Sequence, residues 1–223
     1  HVGTLTGAGI STLCGIPDFR GPQGLYKQPD AERIFDIDWF DRDPRIYYRG
    51  TKELVYGLRN FTPGPVHKAL VALERAGKLD GIATQNIDML HQKAGSTRVW
   101  EVHGSPFWHH CRQCGDRKSF AEICQMLETE EVARCVCGGV YKPDITFFGE
   151  SLPEETLTES FRLARSVKRL VVVGTSNQVY PAASIPLLSL EAGAEVIEVN
   201  PQETPLTPQA SRFIKGKAGE ILP

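Results

Sequence analysis

The sequence predicts an α/β fold, a doubly wound parallel sheet carrying a small inserted zinc-binding module. Three observations predict it. Short, almost wholly apolar runs recur between helical stretches, a glycine-rich turn follows the first run, and four of the six cysteines crowd into one segment. Nearly continuous apolar runs suit parallel strands covered on both faces. Their alternation with helices points to a doubly wound sheet.

The strand runs are Val2–Thr6, Gly81–Thr84, Arg98–Val102, Arg169–Val173 and Glu195–Val199. The first is under way at once, so an upstream element is expected. Thr62 is placed to cap a helix with Pro63 in its first turn. Val66, Leu70 and Leu73 share one face of that helix, and Gly77 marks its stop. A second helix starts at about Glu154 with Leu157, Phe161 and Ala164 on one side, and a third runs from near Pro181 to just before Gly193. Residues 15–31 hold three glycines and three prolines and read as a long loop of the kind that often serves as a lid. Residues 105–143 carry paired cysteines and few strand signals, and read as an insertion. The expected division is 1–104 with 144–223 as the nucleotide-binding domain and 105–143 as the metal module. Residues 15–60 form a cofactor loop and small helical segment.

Composition excludes some classes. The formal net charge is −2, without the basic excess that nucleic-acid binding favours. No apolar run approaches the ~20 residues needed to span a bilayer, and no leader precedes the first motif. Clustered rather than dispersed cysteines predict a reducing, cytoplasmic setting.

Thr6-Gly7-Ala8-Gly9-Ile10-Ser11 follows a strand. Glycines there let backbone amides approach a phosphate. The dehydrogenase fingerprint needs a third glycine where Thr12 stands, and Gly15 and Pro17 stop any long helix. Alone, this turn fits a plain tight turn as well as a nucleotide site. Thr84-Gln85-Asn86-Ile87-Asp88 closes one strand and His103-Gly104 closes the next. Carboxyl ends of parallel strands are where such sheets put their ligand crevice. A neutral His103 can accept a proton there, and Asn86 and Asp88 offer an amide and a carboxylate to a sugar hydroxyl or a carboxamide. His67, His91, His109 and His110 lack such a setting and are read as structural or surface residues.

Cys111-x2-Cys114, then twenty residues, then Cys135-x-Cys137 has the form of a four-cysteine zinc site. Four thiolates leave no open position, so the ion is expected to be structural. The second knuckle is tight, and Gly138-Gly139 is placed to relieve it. Cys14 and Cys124 read as buried thiols.

Together these residues resemble the sirtuins, of bacterial or archaeal type, over nearly the whole chain. The matching segments are Gly7–Ser11, Gly15–Gly21 (Gly-Ile-Pro-Asp-Phe-Arg-Gly), Thr84–Asp88 and Val102–Gly104, then the four cysteines. They continue through Lys142–Ile145, Phe147–Glu150, Gly174–Ser176 and Val199-Asn200. The resemblance implies a Rossmann-like NAD-binding domain with a small zinc domain, and an NAD-dependent protein-lysine deacetylase. Such an enzyme consumes NAD as co-substrate, releases nicotinamide and leaves the acetyl group on ADP-ribose. It implies His103 as base on a ribose hydroxyl and Asn86 as the residue orienting the ribose. Ile87 and Asp88 would hold the nicotinamide amide. Ala8, Thr12, Phe19, Arg20 and Gln85 would line the dinucleotide path. Thr175, Ser176 and Asn200 would meet the adenosine side, with Ala218 near the adenine. Phe148 and Val179 would flank the lysine of an acyl-lysine peptide adding as a strand. A monomer without nucleic-acid or membrane partners is expected.

Three positions depart from the family pattern: the short second knuckle, Asn177-Gln178 after Gly-Thr-Ser, and Pro63-Gly64. Relatives that favour succinyl-lysine carry a Tyr-x-x-Arg pair, but the equivalent positions here are Thr51 and Leu54. The resemblance therefore implies acetyl or another neutral acyl group. The competing readings are an ADP-ribosyltransferase or NAD glycohydrolase on the same fold, and a non-catalytic NAD-sensing module.

Overall fold

The computed structural model describes residues 1–17 and 31–222. Nine strands are found among them: β1 (Val2–Thr6), β2 (Leu79–Thr84), β3 (Val99–Glu101), β4 (Gly104–Cys111), β5 (Arg117–Ser119), β6 (Tyr141–Ile145), β7 (Arg169–Val173), β8 (Glu195–Asn200) and β9 (Arg212–Lys215). Six of them form one sheet in the order β3-β2-β1-β7-β8-β9, with every neighbouring pair parallel. β1 lies inside this sheet, and the chain reaches β2 on one side of it and β7 on the other. That reversal opens a crevice at the carboxyl end of β1.

The helices are α1 (Ala31–Ile34), α2 (Ile37–Arg42), α3 (Pro44–Thr51), α4 (Pro65–Arg75), α5 (Leu90–Ala94), α6 (Phe120–Met126), α7 (Glu154–Ser166), α8 (Ser184–Glu191) and α9 (Ala218–Ile221). Leu163, Ala164 and Ile185 of α7 and α8 pack with Leu5, Val172 and Val196 of the sheet. Val66 and Leu70 of α4 and Ala218 of α9 pack with Ile10, Leu79 and Ile82. Helices therefore cover both faces, which is why the strands read as apolar throughout.

Several boundaries differ from the sequence reading. α4 is capped at Gly64 with Pro65 in its first turn, not at Thr62 with Pro63. A proline drives the residue before it out of the helical region, so Pro65 forces Gly64 to stay extended (φ −87°, ψ −175°). α8 begins at Ser184, because residues 181–183 form a turn first. The strand expected over Arg98–Val102 is only Val99–Glu101, and β9 was not foreseen.

Residues 105–143 hold more strand than their sequence signals. β4 pairs antiparallel with β5 and β6. This small sheet has no core to itself. Ile123, Tyr141 and Phe147 pack with Phe40, Tyr47 and Tyr56 from the helical segment that begins at Ala31, and the long loop expected over residues 15–31 lies largely outside the described residues. The Tyr48 hydroxyl donates to the Tyr141 carbonyl at 2.6 Å, and Tyr56 Oη lies 3.0 Å from His109 Nε2.

Candidate functional site at the carboxyl ends of the strands

Backbone bonds align the strand ends. Gly7 N donates to Val173 O, Gln85 N to Thr6 O, and Val102 N to Thr84 O, at 2.8–3.0 Å. Gly9 N donates to Gly174 O at 2.8 Å. A Cβ on Gly9 would lie 2.8 Å from Gly174 Cα, so this turn needs a residue without a side chain. After Gly7 the chain makes two short 3-10 turns, Ala8–Ile10 and Thr12–Cys14, and no longer helix. Ala8 sits in the first. Thr12 opens the second, exposed, with its hydroxyl donating to Gly9 O at 3.1 Å.

Asn86 and Asp88 are both buried at the end of β2. Asn86 Nδ2 donates to Gly7 O (3.1 Å) and Ser11 Oγ (3.4 Å), and the Ser11 hydroxyl donates to Asp88 Oδ2 (2.6 Å). Asp88 Oδ1 accepts Leu90 N at 2.9 Å, across Met89, which is held left-handed at φ 61°. Strained backbone of this kind persists where the surroundings over-determine it. Ser11 joins the two strand ends. The sequence reading had it in the glycine turn without a role; its signal was a hydroxyl one turn beyond the second glycine.

Asn86, Asp88 and Ser11 wall a narrow cleft together with Ala8, Ile16, Pro17, Leu54, Leu58 and Ile87. Leu54 and Leu58 make part of the wall apolar, and position 54 offers no cation to an acidic acyl group. Thr51, at the other diagnostic position, turns its hydroxyl inward to Tyr47 O at 2.7 Å.

His103 does not line that cleft but is tied to it through Gln85. Its Nδ1 lies 3.1 Å from the Gln85 carbonyl oxygen, which can only accept. Nδ1 therefore carries the proton and Nε2 keeps the lone pair. Burial lowers the His103 pKa, while the Gln85 carbonyl opposes the shift. The ring is thus neutral at pH 7. Gly104 after it adopts φ +71°, and a Cβ there would fall 1.9 Å from Asp144 O. Thr146 N donates to His103 O at 2.9 Å, so β4 and β6 hold the histidine backbone from behind.

Further along the crevice, Gln85 Nε2 donates to Thr175 Oγ1 at 2.7 Å. Ser176 is half-buried beside it, and Asn200 at the end of β8 donates Nδ2 to Gln202 O at 2.9 Å. Ala218 is buried at the start of α9. Phe148 is exposed and bridged to the chain beyond the long loop: its N–H donates to Phe35 O (2.7 Å), and its carbonyl accepts Ile37 N (3.1 Å). Lys142 and Glu150, paired at 2.8 Å, brace this loop, with Lys142 Nζ also donating to Ile145 O. Val179 accepts Ala183 N ahead of α8. Phe19 and Arg20 lie outside the described residues.

None of the other histidines lines that cleft. His67 and His91 are buried with ring centroids 4.9 Å apart, and burial holds the His91 pKa at about 3. His110 pairs with Asp144 at 2.7 Å.

The thiol sulfurs of Cys111, Cys114, Cys135 and Cys137 all lie within 4.8 Å of one another. Cys111 and Cys137 sulfurs are 3.5 Å apart, and those of Cys114 and Cys135 are 3.7 Å apart. A tetrahedral zinc with Zn–S of about 2.3 Å has sulfur–sulfur edges of about 3.8 Å, so this donor set fits that ion. The short knuckle closes because Gly138 N donates to Cys135 O at 2.9 Å. Cys124 lies in α6, outside the cluster.

The Sir2 family pattern matches residues 7–181. The chain is 43% identical over 222 residues to an NAD-dependent protein deacylase of Thermococcus kodakarensis, covering 98% of this chain and 86% of that protein. It is 42% identical over 203 residues to an NAD-dependent protein deacetylase of Thermotoga maritima, covering 91% and 82%. Among solved structures, a Sir2 complex with p53 peptide and NAD+ superposes with a TM-score of 0.91 at 39% identity, covering 99% of this chain and 90% of that chain. A Sir2 protein bound to a propionylated peptide gives 0.90 at 36%, with the same coverage.

Proposed function

The chain belongs to the Sir2 family, and from that premise we propose that it transfers acyl groups, acetyl foremost, from protein lysine to ADP-ribose, consuming NAD and releasing nicotinamide. The observation that carries this reading is the joint geometry at the ends of β2 and β3. A neutral imidazole, its Nδ1 held by the Gln85 carbonyl, sits at the next strand end from a buried amide and carboxylate that already share hydrogen bonds with the glycine turn.

His103 takes the proton of a ribose hydroxyl through Nε2, while Gln85 O holds the opposite nitrogen protonated. Asn86 orients the ribose, and Ile87 and Asp88 hold the nicotinamide carboxamide. The nicotinamide–ribose bond breaks with its electron pair leaving on nicotinamide, and the acyl oxygen bonds to the vacated carbon. The ribose oxygen that gave its proton to His103 bonds to the acyl carbon, the lysine amine leaves carrying a proton, and water supplies the oxygen that frees acyl-ADP-ribose. Ile16, Leu54, Leu58 and Ile87 help keep water from that carbon. Ala8, Thr12, Phe19, Arg20 and Gln85 line the dinucleotide path. Thr175, Ser176, Asn200 and Ala218 form the adenosine end, and Phe148 and Val179 flank the lysine. The acyl group is neutral, because Thr51 and Leu54 supply no charge to pair with a carboxylate.

Residues 1–104 and 144–223 are assigned to the NAD-binding domain and 105–143 to the metal module, with 15–60 as the cofactor loop and helical segment. Cys111, Cys114, Cys135 and Cys137 would hold one structural zinc, which supplies no open coordination position. Among the described residues no helix is long and apolar enough to cross a membrane. We further infer a monomer acting on acyl-lysine proteins in the cytoplasm, without a nucleic-acid partner.

The test is nicotinamide release with a panel of acyl-lysine peptides, with products identified by mass. Acyl-ADP-ribose with deacylated peptide is expected. ADP-ribosylated protein, or free ADP-ribose without deacylation, overturns the reading, and a higher kcat/KM on succinyl-lysine overturns the acyl preference.

A further inference from the structure

Asn177 departs from the family pattern, and the proposed chemistry gives it no task. It lies between Thr175-Ser176 and α8, in the left-handed region at φ 52°, which asparagine tolerates better than most residues. Its backbone N–H donates to Thr175 Oγ1 at 3.3 Å. Its side chain is buried against a second unusual residue. Glu198, inside β8, is 1% exposed, although a buried carboxylate is costly unless fully hydrogen-bonded.

Glu198 receives three donors from two loops. Asn177 Nδ2 donates to Oε1 at 3.2 Å, the Thr204 hydroxyl donates to the same oxygen, and the Thr207 hydroxyl donates to Oε2 at 2.6 Å. None of the three carries a charge. The carboxylate can only accept, so it fixes the direction of each bond and which end of the Asn177 amide faces inward. The 204–207 turn is then knitted around it, with Thr204 N donating to Thr207 Oγ1 at 2.8 Å and Leu206 N to Thr204 Oγ1 at 3.1 Å. Replacing such a group with an apolar residue would often be neutral or better for stability alone. Asn177 Nδ2 also donates directly to Thr204 Oγ1 at 3.2 Å. Glu198 adds a shared acceptor to that contact, tying the loop after β7 more firmly to the loop after β8, which an apolar residue could not do.

Those loops carry Thr175, Ser176 and Asn200. The connection also reaches the other end of the crevice. Gln85 donates its side-chain amide to Thr175 and its carbonyl accepts from His103. We propose that Glu198, with Asn177 as its partner from the loop after β7, is a positioning residue for the adenosine half of the dinucleotide, preorganising the two loops that receive it. This rests on the deacylase reading only for the identity of the ligand as a dinucleotide.

The test uses the full chain and two readouts, ADP-ribose affinity by calorimetry and steady-state kinetics with acetyl-lysine peptide. Glu198→Leu removes the acceptor of both threonine hydroxyls and leaves the Asn177 amide only Thr204 Oγ1, and is expected to weaken ADP-ribose binding and raise KM for NAD by about tenfold or more, as loss of bonds to a carboxylate implies. kcat at saturating NAD and KM for peptide should stay within about twofold. Asn177→Gly, which keeps the left-handed backbone, should show the same split at about threefold to tenfold. Glu198→Gln should recover much of the affinity, because one oxygen still accepts and the Thr207 hydroxyl can turn to accept from the amide. If Glu198→Leu fails to fold, Asn177→Gly decides. Unchanged ADP-ribose affinity in the variants, or kcat falling as far as affinity, overturns the proposal. A wild-type chain that binds ADP-ribose yet releases no nicotinamide would overturn the deacylase reading and leave the binding comparison to decide this one.

Discussion

The parallel sheet and the cysteine module hold their shapes by opposite means. The sheet is dense in fully buried side chains such as Leu5, Ile82, Leu170, Val172 and Val196, and its strand ends are laced by backbone bonds. The module has only three strands and shares its apolar residues with α2, α3 and the 3-10 turn at Tyr56–Asn60. One region can place polar groups at its edge because its interior is settled. The other leans on four thiolates and a borrowed core. The polar strand ends belong to the first, and the second packs against the segment whose Leu54 and Leu58 wall the cleft.

The largest expected effect breaks the second region alone. Removing the metal with a chelator, or Cys135→Ser, should cost the module its fold, since structural zinc contributes on the order of 10 kcal/mol in small modules. Hydrogen exchange should speed in β4–β6 and in α2–α3 while β1, β2 and β7 stay protected. Uniform loss of protection would sink the division of labour.

Next, His103→Ala should lower kcat by about 10²–10⁴, the span of a lost general base, and leave the melting temperature and metal content nearly unchanged. Deacylation at the wild-type rate would refute the base. Gly9→Ala should act between these extremes. Its Cβ would press on Gly174, costing about 1–3 kcal/mol of stability and weakening NAD more than peptide. An equal change in both KM values would count against a cofactor-facing turn.

The most diffuse effect is pH dependence, spread over several groups and shared by both regions. Burial holds His91 in the core and His109 in the module at about 3. The unfolded chain binds their protons at about 6.5, so stability falls as pH drops below that value. Glu101 works the other way. Its burial raises the carboxyl pKa to about 7, so its protonated form favours folding and offsets part of the loss as pH falls. A net loss of a few kcal/mol between pH 6.5 and 4 is expected by denaturant titration, and a flat profile would show that these imidazoles find other partners.

Sequence legibility follows the same contrast. β1 and β7 match their apolar runs residue for residue, because burial on both faces writes itself into composition. β4 carries Pro106, His109 and His110, and β9 is four residues with Arg212 and Lys215 at its ends, so neither stands out against a loop. The four cysteines were legible because metal ligation demands particular atoms. Ser11 and Glu198 were not, since a serine in a turn and a glutamate in a strand announce nothing until the fold brings Asp88 and Thr207 to them.

Gly104 ties the two regions in a way that bears on how the family can diverge. The residue after the histidine is also the first residue of the module's central strand, and any side chain there would strike the Asp144 carbonyl. A lineage that remodels the metal module must therefore pass its changes through a position that tolerates no substitution. Fixed backbone at this one position would let the module's knuckle spacing change, as in the short Cys135-x-Cys137 turn, without moving the His103 ring.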